Sequence, residues 1–314
     1  MLFLQLNIYM LQVQNISFAY KEDNVLNDIS FSLLPGENLS IIGESGSGKS
    51  SLLKLLYGVY DLNHGSIYWK NQPVLGPSHN LIVGYSFMKY VSQEFDLMPY
   101  ITVEENIGEF LSNFFPEKKQ ERIKELIEVV ELIEFAKINV QYLSGGQKQR
   151  VALARAIALE PEIILLDEPF SHIDNFKKQS LRRNLFKYLK ENDIACVVAT
   201  HDKNDVLSFS DKMIVLSAGK MIANSTPREL YGNPNSPLVA SFFGEFNHIE
   251  PYGILYDHQL SVVDNSNIKA LVKRNYFNGE YFIIEALLNN QTIFFKALTE
   301  LKVNQEVCLK ISKR

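Results

Sequence analysis

The chain has 314 residues, a length that suggests about two domains of roughly 150 residues each. Apolar residues make up 46% and charged residues 21%, an ordinary globular balance with enough material for a full core. The net charge of −5 argues against a general polyanion binder, so nucleic acid is not an expected partner.

The two cysteines, Cys196 and Cys308, lie far apart without metal-ligand spacing. No disulfide framework or zinc site is expected, and a reducing compartment is the natural setting. No apolar run approaches the about 18 residues of a membrane-spanning helix. Residues 1–9 (MLFLQLNIY) are apolar, with neither a basic start nor a small-residue cleavage site, so they do not read as a signal peptide. Met10 precedes a clean strand pattern, which makes 1–9 a dispensable extension with Met10 as the alternative start.

Residues 11–20 alternate apolar and polar side chains, the pattern of a half-buried strand, and 25–34 alternate again before the turn at Pro35-Gly36. A short buried strand, 39–42, leads into Gly43-Glu44-Ser45-Gly46-Ser47-Gly48-Lys49-Ser50, and helical spacing follows from Ser51. This is the spacing of a phosphate-binding loop. Its glycines let successive N–H groups turn inward, and the helix dipole faces the same way. Lys49 reaches toward terminal phosphates, and the Ser50 hydroxyl suits Mg²⁺. Ser45, Ser47 and Ser51 complete the candidate contacts. A kinase, a GTPase or a motor fits this loop equally well.

Strands are predicted at 65–69 and 88–91, the second stopping at Ser92-Gln93. A helical block follows, with helices at 103–115 and 117–135. In the second, Ile123, Leu126, Ile127, Val130 and Ile133 repeat at three- and four-residue steps. Beyond it come a helix at 151–159, a buried strand at 162–167, an amphipathic helix at 177–191, a buried strand at 194–200, a short helix at 205–209 and a strand at 213–217. Strands alternating with helices imply a mostly parallel α/β sheet covered on both faces. From about Asn247 only short strands appear, at 260–263, 268–273, 281–287, 292–296 and 307–311. Asn278-Gly279 and Asn289-Asn290 supply the tight turns between them. This is a second, small all-β domain, expected as a barrel, with its boundary near Gly244.

Asp167-Glu168 ends a buried strand. In a phosphate-loop protein the first carboxylate is placed to hold Mg²⁺ and the second to take a proton from attacking water. Leu143-Ser144-Gly145-Gly146-Gln147-Lys148-Gln149-Arg150 precedes the helix expected from Val151. Ser144 is an N-cap candidate, and Gly145 and Gly146 bare backbone N–H groups, so a second anion site forms at a helix start. The helical block would keep it apart from the first, and one nucleotide could satisfy both only if two chains met head to tail.

The string Leu143 to Gln147 resembles, residue for residue, the signature of the ABC (ATP-binding cassette) ATPases, and the resemblance runs from about residue 11 to 244. It implies a P-loop ATPase fold with a mostly parallel core sheet, an antiparallel β subdomain and a helical subdomain at about 95–160. Residues 10–244 would form the ATPase domain and 245–314 the small β domain. It implies that two copies sandwich two ATP–Mg²⁺, each nucleotide between one chain's loop and the other's Ser144, Gly145, Gly146 and Gln147. Tyr20 is similar to the family's adenine-stacking aromatic, Gln93 to the glutamine that touches Mg²⁺, Glu168 to the general base and His201 to the γ-phosphate histidine. Lys49 would act in catalysis as well as binding, and Ser50, Gln93 and Asp167 would hold the metal. Ser171-His172-Ile173-Asp174 resembles the loop that crosses the dimer interface, with His172 and Ile173 departing from the commoner residues. Cys196 reads as core.

With no coiled coil, tandem cassette or zinc module, a transport motor is expected over a soluble ATPase acting on nucleic acid or ribosomes. Residues 95–100 are similar to the transporter form, in which a groove receives a helix of a separate permease. Residues 272–288 look like the TOBE-type domain of importer ATPases for sugars, polyamines, iron(III), molybdate or sulfate. Import of a small solute is therefore expected over export. The chain would sit at the cytoplasmic face of the membrane and work indirectly with a solute-binding protein.

Overall fold

The computed structural model describes residues 10–21 and 23–312, so the 1–9 extension lies outside the described residues. The chain divides into two compact units between Pro227 and Arg228.

In the first unit β1 (Leu11–Tyr20) and β2 (Asp23–Leu33) form an antiparallel pair, and β3 (Asn38–Gly43) runs through the glycine-rich loop into α1 (Lys49–Leu56). β4 (His64–Trp69) and β5 (Gln72–Pro73) join the first pair in a four-stranded antiparallel sheet, order β2-β1-β4-β5. β6 (Met88–Val91) leads to α2 (Val103–Gly108), α3 (Pro116–Val129) and α4 (Gly145–Ile157). Then β7 (Ile163–Asp167), α5 (Asn175–Glu191), β8 (Ala195–Ala199), α6 (Lys203–Phe209) and β9 (Lys212–Ser217) alternate, and β10 (Lys220–Ser225) turns back. The resulting six-stranded sheet has the order β10-β9-β3-β8-β7-β6 and is parallel except for its β10 edge.

The central strands are apolar without alternation because both faces are covered. Successive side chains still point to opposite faces. Ile163 and Leu165 of β7, with Ala195 and Val197 of β8, pack with α1 and the antiparallel sheet. Ile164 and Leu166, with Cys196 and Val198, pack with the helical block and α5. Cys196 is fully buried, as expected of core.

The helices differ from expectation where local chemistry intervenes. The helix expected over 103–115 stops at Gly108, and α3 starts afresh at Pro116. Phe115, restricted by the following proline, sits outside the helical region at φ −127°, ψ 74°. α3 ends at Val129 rather than 135, since Glu131 turns to φ 55°. α4 begins at Gly145 rather than Val151, because Ser144 caps it: its hydroxyl accepts from the Gln147 N–H while the Gln147 side chain accepts from the Ser144 N–H.

The second unit carries α7 (Pro227–Gly232, starting at the division), α8 (Pro237–Phe243), β11 (Phe246–Ile249), β12 (Gly253–Tyr256), β13 (Leu260–Val263), β14 (Ile268–Phe277), β15 (Phe282–Leu288), β16 (Gln291–Ala297) and β17 (Glu306–Ile311). The division falls before the boundary expected at Gly244, and both short helices escaped the sequence reading. The Tyr231 ring stacks on Tyr256 at 4.8 Å and meets Phe243 edge-on at 5.4 Å, which ties this segment to the second unit. The turns match expectation, with Asn289 and Asn290 at φ 50° and 66°.

The expected barrel does not close by hydrogen bonding. The five-stranded sheet has the order β13-β17-β14-β15-β16, leaving β13 and β16 as its ends, and β11 and β12 pair separately. The free edge of β16 is taken by a side chain instead. The buried Asn247 amide donates to the Phe294 carbonyl at 2.7 Å and accepts from the Phe294 N–H at 2.7 Å. Ile284, Ala286, Ile293 and Phe295 close the core beneath.

Asn247→Ala should strand both Phe294 groups and cost about 2 kcal/mol, read as faster amide hydrogen exchange across β16. Unchanged exchange would show that the clamp carries no stability.

Candidate functional site

The glycine-rich loop, the end of β7 and the segment after β8 converge on one cleft of about 430 Å³. Gly43, Ser45, Gly46, Gly48, Lys49, Ser50, Ser51, Gln93, Asp167, Glu168 and His201 line it, together with Val25. The loop's path depends on glycine. Gly48 sits at φ 103° as the N-cap of α1, and a β-carbon there would come within 2.7 Å of the Leu26 side chain. The Lys49 ammonium donates to the carbonyls of Gly43 at 2.8 Å and Glu44 at 3.0 Å, across the mouth of the loop. Burial lowers its pKa, while Glu168 and Asp167 pull the other way.

Asp167 is buried, and its two oxygens are fixed from opposite sides. The Ser50 hydroxyl donates to one at 3.1 Å and the Tyr90 hydroxyl to the other at 3.2 Å. Burial first, then the Asp167 charge and its hydrogen bond, push the Tyr90 phenol well above the usual range, so it stays a donor. Glu168 comes next and turns to φ 51°. Its side chain is 12% exposed, and His201 Nδ1 lies 2.8 Å from its Oε1. The hydroxyl of Ser50, the carboxylate of Asp167 and the amide of Gln93 bring hard oxygen donors into the cleft, which fits Mg²⁺. Among the described residues no group of three or more His, Cys, Asp or Glu side chains is placed to hold a metal ion.

Two expected residues stand apart from the cleft lining. The Ser47 side chain is buried, and its N–H turns back to the Glu44 carbonyl at 3.2 Å. Tyr20 bonds through its hydroxyl to Ser51 at 3.3 Å and packs edge-on against Phe18 and Tyr60, with its residue 39% exposed. Ser144, Gly145, Gly146 and Gln147 are also outside the cleft, and the helix start they form is open at Ser144 and Gly145.

His201 is set by a buried network. The Thr200 hydroxyl donates to Asp205 at 2.6 Å and accepts from the Asp202 N–H at 3.0 Å. Arg182 of α5, 1% exposed, pairs with Asp202 at 2.5 Å and with Asp205, and lies over the Phe170 ring. Burial raises the Asp205 carboxyl from 3.8 to about 6 against the pull of Thr200 and Arg182.

Beside the site, Phe95, Tyr57, Tyr90, Phe110, Arg155 and Leu159 line a second groove of about 240 Å³. Arg155 lies over the Phe110 ring and pairs with Glu109. Of the residues expected there, Phe95 and Asp96 line it; Met98 and Tyr100 are exposed outside it.

The sequence reading did not single out Tyr90, Arg182 or Gln149. The last had a signal. Gln149, Leu153 and Ile157 fall on one buried stripe of α4, and an amide in an apolar stripe must have partners.

Residues 26–171 match the family model described as ABC transporter. The chain is 39% identical over 298 residues to the Fe(3+) ions import ATP-binding protein FbpC of Haemophilus influenzae, covering 92% of this chain and 85% of that one. It is 36% identical over 292 residues to the sulfate/thiosulfate import ATP-binding protein CysA of Vibrio cholerae, covering 83% and 77%. The dimeric post-hydrolysis structure of the ATP-binding cassette MJ0796 bound to ADP and Pi superposes with a TM-score of 0.61 at 29% identity, over 70% of this chain and 99% of that one.

Arg182→Met should cost about 3–5 kcal/mol by leaving the buried Asp205, and the half-buried Asp202, without their partner. Asp205 carries a raised pKa, so its contribution is complete below 3.8 and is lost as pH rises through about 6. Without Arg182 the deficit should therefore be larger at pH 8 than at pH 5. Urea unfolding followed by the single tryptophan, the buried Trp69, measures this; a pH-independent deficit would count against the network.

Proposed function

The chain belongs to the ABC transporter family of ATP-binding, ATP-hydrolysing proteins, and from this we propose that it is the motor subunit of an importer. The observation that carries the reading is the convergence of Lys49, Ser50, Gln93, Asp167, Glu168 and His201 in one cleft, with the Ser144–Gln147 helix start outside it. One chain thus offers two half-sites, and a second copy placed head to tail would complete both. The dimeric form of a similar cassette supports this arrangement.

In the closed site, the loop N–H groups and Lys49 bind the β- and γ-phosphates and neutralise charge that builds on the transferring group. Bound Mg²⁺, held by Ser50, Asp167 and Gln93, would supply further charge stabilisation. Glu168 accepts the proton of the attacking water, and His201, held against it, orients toward the γ-phosphate. The partner's Ser144, Gly145, Gly146 and Gln147 close over the same phosphates, and Tyr20 stacks on adenine. ATP binding closes the dimer and hydrolysis lets it open.

The relatives' names favour import over export and a small solute, iron(III) or an oxyanion, as cargo. Among the described residues no helix is long and apolar enough to cross a membrane. By analogy with the import relatives we place the chain peripherally on the cytoplasmic face, with the Phe95–Phe110 groove receiving a helix of a separate permease served by a solute-binding protein. The second unit is read as a TOBE-like regulatory module on the strength of residues 272–288.

Glu168→Gln should retain ATP-driven dimerisation and lower turnover by about 10²- to 10⁴-fold, measured by size-exclusion chromatography with ATP and by phosphate release. Near-wild-type turnover would remove Glu168 as the base.

Phe110→Asp, at a residue 55% exposed, should leave the ATPase activity of the isolated chain intact. It should abolish stimulation by liposomes carrying the permease. Stimulation that survives the change would move the permease away from this groove.

A further inference from the structure

Glu168 owes its position to its backbone, and that backbone is held from outside its own strand. Its N–H donates to the Ala199 carbonyl at 2.9 Å. Its φ of 51° is a conformation that a non-glycine residue keeps only when its surroundings over-determine it. Its carbonyl accepts from the Ser171 N–H at 3.2 Å and the Ser171 hydroxyl at 3.0 Å, both within the same turn. The remaining donor comes from another element: Gln149 Nε2 of α4, at 2.9 Å.

Gln149 is 1% exposed, and its amide is used at both ends. While Nε2 donates to Glu168, Oε1 accepts from the His172 N–H at 3.1 Å. One side chain thus spans the turn from the catalytic carboxylate to residues 171–174. It stands one helical turn in from Gly145. The same helix start is pressed against the same turn, since a β-carbon on Gly146 would come within 2.6 Å of the His172 carbonyl. A buried amide with both groups satisfied holds its partners in one geometry, and losing it strands both of them.

We propose that Gln149 is a positioning residue for the hydrolytic step. It locks the Glu168 main chain in its positive-φ turn and joins that turn rigidly to the helix start that meets the partner's nucleotide. Glu168 serves this chain's own cleft, whereas the Ser144–Gln147 end serves the other one. Gln149 is therefore the mechanical link, within one chain, between the two half-sites that the chain contributes. The inference rests on the assignment of Glu168 as general base.

The test uses the full chain with two near-isosteric substitutions. Gln149→Met removes both hydrogen bonds. Gln149→Glu keeps an acceptor for His172 and sets a carboxylate against the Glu168 carbonyl. Both should lower kcat by about 10- to 100-fold, the penalty of misplacing a reacting group by an ångström or less. KM for ATP, and the affinity of the isolated chain for a fluorescent ATP analogue, should stay within about twofold of wild type, because the phosphate loop is untouched. A kcat within twofold of wild type in either folded variant overturns the proposal, as does a loss of nucleotide affinity that parallels the loss of kcat. Glu168→Gln, assayed alongside, separates the two claims. If it is inactive while Gln149→Met is not, only the positioning role falls; if it turns over normally, the assignment of the base falls first.

Discussion

A strand covered on both faces can present side chains to solvent only where it ends. β7 is such a strand, sending Ile163 and Leu165 into one core and Ile164 and Leu166 into the other. Its register is therefore fixed, since a slip of one residue would exchange the two sets. Asp167 and Glu168 follow from that constraint. They leave the sheet at its carboxyl edge, where β3 also ends in the phosphate loop and β8 ends before Thr200 and His201. Three parallel strands with aligned ends deliver every catalytic candidate but Gln93, which arrives from β6 at the same edge.

The cleft adds order to this convergence. Asp167 is held by Ser50 and Tyr90, Glu168 by backbone bonds and His201, and His201 by flanking residues anchored on Arg182. Asp167, the Glu168 backbone and the residues flanking His201 are thus each tied to a residue outside the cleft: Tyr90, Gln149 and Arg182. The backing residues come from α4, α5 and β6, so the helical layer beneath the sheet holds chemical groups as well as filling volume.

Much of this was legible in the sequence, because the strongest signals are local. The phosphate loop, the Asp167-Glu168 pair and the signature are each contiguous strings, and β6 and β13 fall where alternation and turn residues put them. What could not be read depends on contacts between distant residues. Helix boundaries shifted where a proline or a positive-φ residue intervened, as at Phe115 and Glu131. The all-β unit looked like a barrel because its strands are short and amphipathic. The end strands β13 and β16 do not pair, and at Phe294 the β16 edge is occupied by the amide of Asn247, from a preceding segment. Tyr90 and Arg182 gave no sign because a tyrosine in a strand and an arginine on an amphipathic helix are ordinary; their partners lie 77 and 20 residues away.

The capped start of α4 bears on selectivity. Ser144 and Gln147 already bond to each other's backbone, so the groups left to meet a ligand are the Gly145 and Gly146 N–H groups, which have no intrahelical acceptor, and whatever the serine hydroxyl can share. A surface of that kind reads negative charge and oxygen geometry, and it has no means of telling one nucleobase from another. In the proposed head-to-tail sandwich, discrimination between ATP and other triphosphates would therefore fall to the phosphate-loop side, where Tyr20 packs with Phe18 and Tyr60.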